Sequence, residues 1–185
     1  MGGDKPERLV LGKSLLEHAR DLLRPHCDKL IVVGGEYGLS DEQPGLGPLG
    51  GLLTALNRAD TAWVLVATVD MPAVRPSLLE RLVNVRQVDD RAVLVHVPFS
   101  YPDLAAGQDT MLLGPQPEPF PGLYRSDLGP ELRQFLEAGE RKARKFAHLL
   151  QARLVEAHSD ELEGMLCNVN RPEDLAAAEH LLRQR

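Results

Sequence analysis

The stretch Trp63-Val64-Leu65-Val66-Ala67-Thr68-Val69-Asp70-Met71-Pro72 constrains this chain more than any other, because an apolar run delivers a single carboxylate immediately before a break. A run this apolar predicts a buried strand over 63–69, of the kind found inside a parallel sheet. Pro72 cannot donate to a ladder, so the strand is expected to leave Asp70 at its carboxyl end, where open α/β sheets bind their ligands. Asp70 is therefore the first candidate functional residue. Its alternative is structural, as a turn or helix-capping aspartate.

Around this strand the chain alternates. Helical spacing over 14–23 follows a capping box made by Ser14 and Glu17, and Leu30-Ile31-Val32-Val33 predicts a strand ending at Gly34-Gly35. Residues 36–47 are loop-like, 48–57 helical, 77–83 helical behind Pro76, and 92–97 another strand. Prolines at 98, 102, 115, 117, 119 and 121 predict an irregular excursion over 98–121, followed by a short strand at 122–125. Helices over 128–138 and 141–150, a strand near 153–157, an extended segment at 167–170 and a closing helix over 171–183 complete the pattern. The expected fold is α/β, one domain spanning 1–185, with a mostly parallel sheet and helices on both faces.

Composition excludes several classes. At 185 residues the chain can bury a core without staples, and no apolar run reaches the length needed to span a bilayer, so no membrane partner is expected. A net charge of −6 argues against nucleic acid as a partner, so an anionic substrate would need a local cluster of cations. Cys27 and Cys167 stand far apart with no CxxC, which fits two inert thiols in a reducing cytoplasm. His18, His26, His96, His148, His158 and His180 show no zinc spacing, and no GxSxG elbow is present.

Four patterns occur in order: Met1-Gly2-Gly3-Asp4-Lys5, Asp41-Glu42-Gln43-Pro44-Gly45-Leu46-Gly47-Pro48-Leu49-Gly50-Gly51, Val69-Asp70-Met71-Pro72, and Asn168-Val169-Asn170-Arg171-Pro172-Glu173-Asp174-Leu175. Together they resemble the molybdenum cofactor guanylyltransferase family, and the Gly139-Glu140-Arg141-Lys142 turn is similar to a further family feature. The resemblance implies a Rossmann-like nucleotidyltransferase in which the terminal phosphate of molybdopterin attacks the α-phosphate of GTP, releasing pyrophosphate and forming the guanine dinucleotide cofactor. Two polyanions must then meet, a step limited by charge repulsion and alignment. On this reading Asp70 matches a Mg2+ ligand, Lys5 the lysine that meets the nucleotide phosphates, and Asp41 the acidic residue that recognises guanine. Gly45 lies in the nucleotide-binding loop, and Asn168 and Asn170, two apart on an extended segment, share one side toward metal or phosphates. Without the resemblance, Asp41 is a turn residue, Lys5 a solvated terminal lysine and Asn170 a helix N-cap. Arg141, Lys142, Arg144 and Lys145 read more simply as a solvated helix face than as a phosphate site. GTP and the molybdopterin cofactor are the implied substrates, with molybdoenzymes or their chaperones as implied partners.

Departures from the family pattern are as informative. Family members open with a strand and a loop of the form L-A-G-G-x-S-x-R-M-G-x-D-K, of which Met1 to Lys5 resembles only the tail. The expectation is that Met1 is an internal methionine of that signature, that the first strand and roughly 15 to 20 residues are missing, and that neighbouring strands lose a partner. Gly34-Gly35 stands where some members carry asparagine, and Gln116-Pro117-Glu118-Pro119 replaces a Q-P-L pattern thought to meet the pterin. Two alternatives share these residues: a related nucleotidyltransferase using CTP or a sugar phosphate, and an inactive truncated paralogue acting as a binding protein.

Overall fold

A computed structural model describes residues 5–97 and 116–184. The Met1–Asp4 part of the first motif and most of the expected proline-rich excursion lie outside the described residues. A short hairpin of β1 (Leu9–Val10) and β2 (Lys13–Ser14) leads into α1 (Leu15–Leu23), and the expected capping box is present. The Glu17 carboxylate accepts from the Ser14 N–H at 2.7 Å, while Ser14 Oγ accepts from the Glu17 N–H.

Helix α2 (Pro48–Arg58) and strand β3 (Trp63–Val66) follow, then α3 (Pro76–Asn84) and β4 (Ala92–Val97). Prolines at the first turn of α2 and α3 fix φ where no backbone donor is needed. Strand β5 (Gln116–Arg125) precedes α4 (Gly129–Glu137), α5 (Ala143–Leu149), β6 (Arg153–Glu156), α6 (Ser159–Leu166) and α7 (Leu175–Leu182).

The main sheet runs β3-β5-β4-β6. β5 is antiparallel to both β3 and β4, and β4 is parallel to β6. Three of the four strands thus point the same way with β5 reversed among them, a mixed sheet of mostly parallel direction. One core binds it to the helices: Leu52 and Leu53 from α2, Leu78, Leu79 and Leu82 from α3, Val93 and Leu94 from β4, Leu132 and Leu136 from α4 and Phe146 from α5. A smaller cluster of Val10, Leu15, Val169 and Ala178, with Val69 packed against it, joins the hairpin to α7.

Three expectations need correction. The 63–69 run forms a ladder only over Trp63–Val66, is half-buried throughout, and lies at the sheet's edge among the described strands. Its ladder ends where Val66 meets Gly122, because β5 turns into its proline-rich half there. Residues 30–33 form no ladder with β3 and make only one isolated bridge, Val33 to Leu39. Instead, a cavity of about 650 Å³ separates Leu30, Ile31 and Val33 from the length of β3.

The third correction concerns β5, which is ten residues long rather than four. Pro119 and Pro121 fall in the irregular stretch between Glu118, opposite Val95, and Gly122, opposite Leu94, where no ladder donor is needed, and only Gly122–Tyr124 pairs on both sides. At the centre of the sheet a Cβ on Gly122 would stand 2.7 Å from both Leu94 Cδ2 and the Pro119 carbonyl oxygen, which excludes any larger residue there.

Candidate active site

Asp70 does not end β3 but stands four residues beyond it, directly before a turn closed by the Val74 N–H donating to the Met71 carbonyl at 3.3 Å. Val69 on one side packs into the smaller cluster, while Met71 and Val74 on the other enter the main core. The carboxylate is therefore fixed by its neighbours while remaining accessible.

Two distant segments converge on it. Lys5 opens a 3-10 turn, Lys5–Glu7, ahead of the hairpin, and its ammonium donates to Asp70 Oδ2 at 3.0 Å and to Asn170 Oδ1 at 2.7 Å. The Val169 N–H donates to the Asp70 carbonyl at 2.7 Å, tying the 167–170 segment to the turn. Val169 is fully buried while Asn168 and Asn170 are exposed, so the two asparagines share the outer side as the spacing predicts. Arg8 Nη1 adds a hydrogen bond to the Asn170 carbonyl at 3.0 Å.

The side chain of Asn170 is thus turned to Lys5 rather than capping a helix. Capping falls to Asp174, whose Oδ2 accepts from the Arg171 N–H at 2.7 Å and the Asn170 N–H at 2.8 Å. Those two backbone donors, Arg171 first, hold the Asp174 carboxyl below its ordinary value.

Exposed ion pairs contribute about 0 to 1 kcal/mol. Lys5 and Asp70 are each more than a quarter exposed, so their pairing contributes little to stability. Lys5, Asp70 and Asn170 bring one cation and two hard oxygen donors to a single point.

Asp41 lies in the loop before α2 and lines the same cavity as Asp70. Its Oδ1 is buried and has no hydrogen-bond partner among the described residues. Gly51 on α2 faces it: a Cβ there would stand 3.9 Å from that oxygen. Gly45 in the same loop has φ +83, a backbone conformation that glycine adopts without strain.

The basic run after Gly139 is used within the fold: Arg144 donates to Glu118 at 2.8 Å, Lys145 pairs with Glu140, and Arg141 donates to the Leu136 carbonyl at 2.5 Å. Burial pushes the Cys27 and Cys167 thiols up, against reactivity.

Sequence reasoning missed the residues that hold the Asp41 loop. The Glu42 N–H donates to Thr54 Oγ1 at 3.0 Å, and Glu42 Oε2 accepts from Asn57 Nδ2 at 2.9 Å and Arg133 Nη2 at 3.0 Å. One signal was available: a threonine on the buried face of α2 must satisfy its hydroxyl, and Thr54 does so by donating to the Gly50 carbonyl.

Residues 1–157 match the MobA-like NTP transferase domain. The chain belongs to that family. It is 31% identical to the molybdenum cofactor guanylyltransferase of Nitrobacter hamburgensis over 197 residues, covering 97% of this chain and 87% of that protein. Identity to the Shewanella baltica protein of the same name is 29% over 185 residues, 94% of this chain and 86% of the relative.

Among solved structures, the molybdopterin-guanine dinucleotide biosynthesis protein A of Archaeoglobus fulgidus superposes with a TM-score of 0.68 at 23% identity, over 100% of this chain and 93% of that one. A 2-C-methyl-D-erythritol 4-phosphate cytidylyltransferase from Thermus thermophilus gives 0.67 at 21% identity, over 98% and 95%. The α/β nucleotidyltransferase fold expected from the sequence is thereby established, and family membership makes the chain a nucleotidyltransferase. No described helix is long and apolar enough to cross a membrane.

Proposed function

We propose that this chain transfers GMP from GTP to the molybdopterin cofactor. A terminal phosphate oxygen of molybdopterin forms a bond to the α-phosphorus of GTP, the bond from that phosphorus to the bridging oxygen breaks, and pyrophosphate leaves. The observation that carries guanine is the buried, unpartnered Oδ1 of Asp41 in the cavity that Asp70 also lines. An ionised carboxylate only accepts hydrogen bonds. Guanine offers it two adjacent donors, the ring N1–H and the exocyclic amine, whereas cytosine sets a single amine beside acceptors.

Lys5 meets the phosphates in this reading, as a compact ammonium suited to diffuse negative charge. Asp70, with Asn170, would hold Mg2+: both oxygens already bond one cationic group, and a carboxylate with a neutral carbonyl is a donor set this ion favours. When bound, Mg2+ supplies charge neutralisation along the phosphates. Asn168, on the same side of its segment, is left to the phosphates, and the positive φ of Gly45 lets the loop backbone pass close to the nucleotide. Partners downstream are molybdoenzymes or their chaperones, and two protonated, separated thiols suit the cytoplasm.

The test is pyrophosphate release from GTP in the presence of Mg2+ and molybdopterin. Asp70→Asn is expected to lower the rate by about 100-fold or more, the scale of losing a group that balances transition-state charge. A rate with CTP exceeding that with GTP, or one indifferent to Asp70→Asn, would overturn the reading.

A further inference from the structure

We infer that Thr54 and Glu42 are positioning residues for base selection, holding Asp41 in the one orientation that reads guanine's two donors. The inference rests on the guanine reading of Asp41. A recognition carboxylate must be held to about 0.5 Å to discriminate, and Asp41 sits in a loop whose glycines do not restrain it. What restrains it is its successor in the chain, Glu42, which α2 and α4 grip at both backbone and side chain.

The backbone grip has a fixed polarity. Thr54 is 1% exposed, and its single hydroxyl proton goes to the Gly50 carbonyl at 3.0 Å. A lone pair is therefore what it presents to the Glu42 N–H. The bond to Gly50 is buried, and the one to the Glu42 N–H is half-buried.

The side-chain grip comes from Asn57, three residues along α2 and so on the same face, and from Arg133 on α4. Glu42 cannot rotate about its backbone without breaking one set or the other, and Asp41 moves with it. Gly51 borders the seat, where a Cβ would meet Asp41 Oδ1 at 3.9 Å, an ordinary van der Waals contact.

The experiment compares equilibrium binding of GTP and of inosine triphosphate, which lacks the exocyclic amine, at fixed Mg2+. The unmodified chain is expected to prefer GTP by about 10-fold or more, the worth of one hydrogen bond to a charged group. Thr54→Val keeps shape and removes both hydroxyl bonds; the preference should fall to about 2-fold or less, with KM for GTP raised and kcat unchanged, while Thr54→Ser retains the preference. Glu42→Ala should also lower it, and decides the matter if Thr54→Val does not fold.

A purely structural role would lower the melting temperature and leave the GTP-to-ITP ratio untouched in both variants; that result overturns the inference. If the unmodified chain shows no preference, or Asp41→Asn preserves it, the guanine reading itself fails. Loss of preference in Asp41→Asn but not in Thr54→Val or Glu42→Ala refutes the positioning role alone.

Discussion

The two sides of the sheet are built differently. On one side, β4 is paired by β5 and β6, and Val93, Leu94 and Val95 are fully buried. On the other, β3 is paired only by β5 among the described strands, its four apolar residues are half-buried, and a cavity separates it from Leu30, Ile31 and Val33. Asp41 and Asp70 both belong to this second side. The closed side supplies cohesion, whereas the open side keeps backbone and side-chain groups available to a ligand. A nucleotide site has to forgo some packing to admit its substrate, and the reading proposed above puts that loss at one edge.

Matched truncations in the two strands would expose the contrast most strongly. Leu94→Ala is expected to cost about 3 to 4 kcal/mol in urea unfolding, and Val64→Ala about 1 kcal/mol. Equal costs would mean that β3 is as well packed as β4 and that the division is wrong. Amide hydrogen exchange sharpens the same point at single residues: Val93 to Val95 should exchange about 100-fold or more slowly than those β3 amides that face away from β5.

A smaller effect concerns Glu118, on the closed side. Burial raises its carboxyl pKa above the ordinary 4.5, outweighing the opposing pull of Arg144. A carboxyl with a raised folded value binds its proton better in the folded state, so it favours folding at low pH and loses that advantage as pH climbs through the folded value. Relative to Glu118→Gln, the unmodified chain should therefore lose stability as pH rises above 4.5, measured as a divergence of urea midpoints. A slope of the opposite sign would mean that the Arg144 pairing dominates.

Most helices were legible because each carries its own punctuation: Ser14 with Glu17 before α1, Pro48 and Pro76 at the first turns of α2 and α3, Gly139 with φ +87 between α4 and α5. Helix α6 was missed because its acidic residues obscure a short apolar stripe of Leu162 and Met165, although the Glu161 carboxylate accepting from the His158 N–H marks its start. Strands were less legible, since a ladder belongs to two segments at once. The run at Trp63 looks central by composition yet its ladder stops at Gly122, and the prolines of β5 look like a loop until Gln116–Glu118 prove to pair with β4.

The site divides along the same line. Lys5, Asp41, Asp70 and Asn170 were named from short motifs, and three of them meet in space while the fourth lines the same cavity. Glu42, Thr54, Asn57 and Arg133 act through contacts between separate elements, which no local pattern announces.

The hydrogen bond from Lys5 to Asn170 joins positions 165 apart, and this spacing has a consequence for the order in which the molecule is made. A ribosome adds roughly 5 to 20 residues per second. Lys5 therefore emerges on the order of ten to thirty seconds before its second partner has been synthesised. During that interval the main sheet can assemble, since β3 to β6 all precede residue 157, while the ammonium has Asp70, but not yet Asn170, within reach. The segment that brings Asn170 to Lys5 and Asp70 is thus made after every strand of the main sheet, so the sheet can pair before these three groups are together.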